Sequence, residues 1–122
     1  MSEGDLSVLL GIHHPSMLEQ YRGLCQDMWY NVDEAITPET MLEKVASREY
    51  DRYVMDLNLG VPNSTDITAA IQVYDIVRSR VESGRAKFMG ISGNRQAVIA
   101  AKELGIPAEY RLDFKLVDFF KL

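Results

Sequence analysis

The side chains of this chain that could do chemistry stand just behind short apolar runs: His13 and His14 after LSVLLGI, Asp56 and Asn58 at the end of RYVMDLN, and Ser92 after KFMGI. Tyr110 and Lys115 flank the later stretch RLDF. A carboxylate attacks phosphorus only where the charge on the transferring oxygens is neutralised. A carboxylate, a hydroxyl and a lysine at neighbouring strand ends are therefore the right kinds of group for phosphoryl transfer. An imidazole beside a carboxylate suits Zn²⁺, Ni²⁺ or Cu²⁺, but two ligands rarely suffice to hold such an ion. There is no G-x-G-x-x-G, P-loop, G-x-S-x-G or paired metal-ligand spacing.

The elements that must position these residues alternate. Residues 6–12 are almost continuously apolar, as in a strand buried on both faces of a parallel sheet. Apolar positions 17, 18, 21, 24, 25 and 28 then trace one face of a helix over 16–28, with Ser16 as its cap. A strand over 29–33 follows, and Thr37-Pro38-Glu39 starts a helix to about residue 48 that buries Met41, Leu42 and Val45. Residues 52–57 form the third strand, and the turn formers of 58–64 make a loop at its exit. Thr65 or Asp66 caps a long helix to about residue 83, with Ile67, Ile71, Tyr74, Val77 and Val81 on one face and Gly84 closing it. A strand over 87–91, a helix over 95–104 capped by Asn94, and a strand over 108–112 complete the series. Such alternation implies α/β architecture: a parallel sheet with right-handed crossovers and helices on both faces. In open sheets of this kind, ligands gather beyond the carboxyl ends of the strands, which selects His13 and His14, Asp56 with Asn58, Ser92, and Lys115 or its neighbours.

Composition narrows the function classes. The 122 residues fit one domain over 1–122 and suffice to bury a core. The net charge of -5, with 13 scattered basic residues, argues against a nucleic-acid surface. No run approaches the ~20 apolar residues of a membrane span, and the polar start MSEGD is no secretory signal, so a cytoplasmic protein is expected. The lone Cys25 sits at helical spacing with apolar neighbours and reads as a packing residue.

Four segments carry a family resemblance. VLLGIHHP (8–15) resembles the first strand of bacterial two-component receiver domains, where an apolar run leads to two acidic residues, often a His, and a Pro. YDRYVMDLNLG (50–60) is similar to that family's stretch around its phosphorylated aspartate. FMGIS (88–92) resembles its fourth strand ending in Ser or Thr, and the helix closing at Leu104-Gly105 resembles the one before its fifth strand. The resemblance covers nearly the whole chain. It implies a flavodoxin-like fold with five parallel strands in the order 2-1-3-4-5. Asp56 would be the phospho-acceptor, Ser92 and a lysine would contact the phosphate, Tyr110 would be the switch aromatic, and Mg²⁺ would bind at Asp56 and the backbone carbonyl of Asn58.

The departures from that pattern matter as much. Aligned through Pro15, the two acidic positions fall on Ile12 and His13, neither of them a hard oxygen ligand, so Mg²⁺ affinity should be weak. His13 could be a tolerated strand-end residue, a nitrogen ligand, or, protonated, a positive charge standing where the metal would be. His14 matches a non-ligand His of the family and reads as surface. The usual Lys-Pro pair is missing: counting from Gly105 reaches Leu112 or Asp113, whereas counting from Ser92 favours Lys115. The Asp56 to Ser92 spacing exceeds the family's by several residues, placed in the loop after Asn58 and the helix beyond it. The tail LVDFFKL is short for a full final helix, which predicts Phe114, Val117, Phe119 and Phe120 partly uncovered, and with them a homodimer or a neighbouring output domain.

Taken together, these features point to a non-enzymatic receiver domain in a phosphorelay, or a pseudo-receiver acting by protein–protein contact. A histidine kinase or another signalling protein is the expected partner. A small α/β ligand-binding module or hydrolase outside phosphorelay signalling is the alternative.

Overall fold

The computed structural model describes residues 6–62 and 64–121; the polar start, Asn63 of the post-strand loop and Leu122 of the tail lie outside the described residues. Five parallel strands, β1 (Ser7–Gly11), β2 (Asn31–Ala35), β3 (Arg52–Asp56), β4 (Lys87–Ser92) and β5 (Ala108–Tyr110), form one sheet in the order β2-β1-β3-β4-β5. Helices α1 (Pro15–Asp27), α2 (Pro38–Ser47), α3 (Thr68–Glu82), α4 (Arg95–Glu103) and α5 (Leu116–Phe120) connect and close the strands. Strand order reverses between β1 and β3, so the exits of these two strands are where the topology opens a cleft.

Alternation along the central strands feeds two apolar layers. Leu9, Tyr53, Met55 and Phe88 face α2, α3 and α4, joining Met41, Val73, Val77 and Ala101. Val8, Leu10, Ile12, Val54 and Ile91 face α1 and α5, joining Leu18, Cys25, Leu116 and Phe119. Burial in this second layer pushes the Cys25 thiol up to about 12, in keeping with a packing role. No helix among the described residues is long and apolar enough to cross a membrane.

Several boundaries move from their sequence expectation. Ser16 lies inside α1, which starts at Pro15 with His14 as an N-cap that makes no side-chain cap bond. Pro15 supplies the start instead, since its fixed φ and missing N–H suit a first helical position. The α1 C-terminus closes through Trp29 N–H to Gln26 and Tyr30 N–H to Cys25, with Trp29 at φ 63°, so β2 begins at Asn31 rather than residue 29. Thr37 does cap α2, its hydroxyl accepting the Thr40 N–H at 3.2 Å. Asp66 instead folds over Thr68, accepting its N–H at 2.9 Å and its hydroxyl at 2.6 Å, and α3 starts after that turn.

The largest differences are at the chain's end. β5 stops at Tyr110, and Arg111–Asp113 form a single 3₁₀ turn. The aromatic residues expected to stand partly uncovered are instead packed: Phe114, Phe119 and Phe120 are buried, and only Val117 of that set is exposed. Phe114 meets the Tyr21 ring edge-on at 6.1 Å, and Phe120 meets Tyr30 at 5.0 Å. One and a half turns of α5, with Phe114 just before it, thus cover the layer, because these rings reach Tyr21 of α1 and Tyr30 ahead of β2.

Candidate functional site

Asp56 ends β3 and is 1% exposed. Its Oδ2 accepts the backbone N–H of His13 at 2.9 Å and lies 3.3 Å from His13 Nδ1, an ion-pair distance without the alignment of a hydrogen bond. Its Oδ1 has no hydrogen-bond partner among the described residues. Burial holds the Asp56 carboxyl above its usual range, against the smaller pulls of the His13 N–H, the His13 ring, Arg111 and His14.

Asn58 lies two residues on and is 3% exposed. Its Nδ2 donates to the Ser64 carbonyl at 3.2 Å, its Oδ1 has no partner among the described residues, and its main-chain carbonyl accepts the Val61 N–H at 3.0 Å. The loop that holds it is pinned at Gly60, whose φ of 89° suits glycine and where a Cβ would meet the Pro38 ring at 2.6 Å. Ser92 ends β4 beside the β3 exit, fully buried, its Oγ accepting the Asn94 N–H at 2.9 Å. Asn94 in turn caps α4, accepting the N–H groups of Gln96 and Ala97.

The structure brings His13, Asp56, Asn58, Ser92 and Tyr110 to one end of the sheet, but not Lys115. Lys115 is exposed beside a separate hollow with Met89, Glu109 and Asp118. Arg111, which sequence reasoning passed over, stands at the site instead, beside Arg95. Counting from Gly105 landed one or two residues too far, because β5 ends early and the 3₁₀ turn carries Arg111 back toward β4. Its guanidinium lies flat against Gly93: a Cβ there would be 3.3–3.4 Å from Nη1, Cζ and Nη2 alike. Arg111 Nε is buried without a partner among the described residues. Tyr110 is half-buried beneath Arg95, whose guanidinium carbon sits 4.3 Å from the ring centroid. A hollow of about 840 Å³ opens between His13, Asn58, Asn94, Arg95 and Arg111.

These residues fit Mg²⁺ poorly. The Ile12 side chain points into the α1 and α5 layer, fully buried, and His13 offers a nitrogen where a hard oxygen is needed. Asp56 is left as the carboxylate at this end, and no group of three His, Cys, Asp or Glu side chains among the described residues could hold a metal ion.

No protein-family model and no curated protein matches the chain. Solved structures do. The receiver domain of a sensor histidine kinase from Pseudomonas aeruginosa, with magnesium in its active-site cleft, is similar at 16% identity and TM-score 0.66, over 96% of this chain and 93% of that one. A two-component response regulator from Clostridium difficile is similar at 14% identity and TM-score 0.71, over 96% and 91%. A response regulator from Burkholderia pseudomallei with a phosphorylated aspartic acid is similar at 16% identity and TM-score 0.68, over 93% and 64%. The fold is therefore that of response-regulator receiver domains, within the flavodoxin-like class that the strand order indicates.

Proposed function

We propose that this chain is a cytoplasmic, non-enzymatic receiver-type signalling domain that works by protein contact, with phosphorylation of Asp56 weak or lost. The observation that carries this reading is the fate of the two acidic positions: Ile12 is spent on the core, and His13 is set against Asp56. Without two hard carboxylates, Mg²⁺ binding is weak and the charge of a transferring phosphoryl group is poorly offset. In this reading Asp56 keeps the acceptor position, Ser92 and Arg111 stand where phosphate contacts belong, and Tyr110 is the aromatic beside them. The partner is a histidine kinase or another signalling protein. Among the similar structures, one is a receiver domain of a sensor kinase and another is a regulator bound to promoter DNA.

Intact-mass analysis after incubation with acetyl phosphate and Mg²⁺, beside Asp56→Asn, tests this. The expected result is no gain of a phosphoryl mass. A gain that disappears in Asp56→Asn would overturn the contact-only reading, and a gain that persists in EDTA would assign the metal's electrostatic work to Arg111 and His13.

A further inference from the structure

We draw no further inference here: the strongest candidate, the surface groove between α4 and β5 where Val98, Ile99, Ala108 and Tyr110 meet, carries nothing, because no feature of the structure shows what covers it.

Discussion

At the amino ends of the strands, the Tyr53 hydroxyl accepts the Tyr50 N–H and the Arg80 guanidinium, which also reaches the Tyr50 carbonyl. Asp51 takes the N–H and hydroxyl of Ser7, and the Tyr50 hydroxyl donates to Asp33 at 2.6 Å. At the carboxyl ends, His13 Nδ1, Asp56 Oδ1, Asn58 Oδ1 and Arg111 Nε are all buried and unpartnered, whereas the amino end leaves only Arg52 Nε so among the described residues. Both ends are made of the same kinds of residue. One closes its polar groups on one another and holds the sheet together; the other leaves several without a protein partner among the described residues, at a cost in stability unless water or a bound group satisfies them.

Substitutions that open the first end or relieve the second should therefore have opposite signs. Tyr53→Phe removes an acceptor from a buried donor and should destabilise the domain by about 1–3 kcal/mol in urea unfolding. Asp56→Asn should stabilise it by about 1 kcal/mol at pH 7, a thermal shift of a few degrees. The sign follows from linkage: Asp56 has a raised carboxyl pKa when folded, so the stability of its protonated form is fully present below the ordinary value of ~3.9 and is lost as pH rises through the folded value. The advantage of Asp56→Asn should accordingly vanish in acid, and an advantage that persists at pH 3 would show that burial of the charge is not its cause. The smallest effect is local to the amino end. Trp29 holds a left-handed conformation while 84% exposed, so Trp29→Asn, which tolerates that backbone, should add about 0.5 kcal/mol. A loss of stability there would mean that the indole packs in solution.

Much of the fold was legible because periodicity and punctuation agreed: Thr37 before Pro38, Asn94 before α4, and the apolar runs of β1, β3 and β4 all fall where the sequence puts them. The failures cluster where tertiary contacts decide. The aromatic tail is covered by ring contacts to Tyr21 of α1 and Tyr30 ahead of β2 that no local pattern encodes. Arg111 was missed because its position depends on where β5 stops pairing, not on residue spacing. Of the site, Asp56, Asn58 and Ser92 could be read from their strands, and Ile12 and His13 from the motif they interrupt. That His13 would lie against Asp56, and that an arginine would stand over Gly93, needed coordinates.

Cys25 gives the molecule a built-in clock. Its thiol is sealed between α1, α5 and the sheet and is kept protonated there, so a thiol reagent should find it only when that layer parts. With no other cysteine to confuse the signal, the labelling rate measures how often the short α5 lifts away, and comparing that rate with global unfolding would tell whether five residues of helix breathe on their own or only with the whole domain.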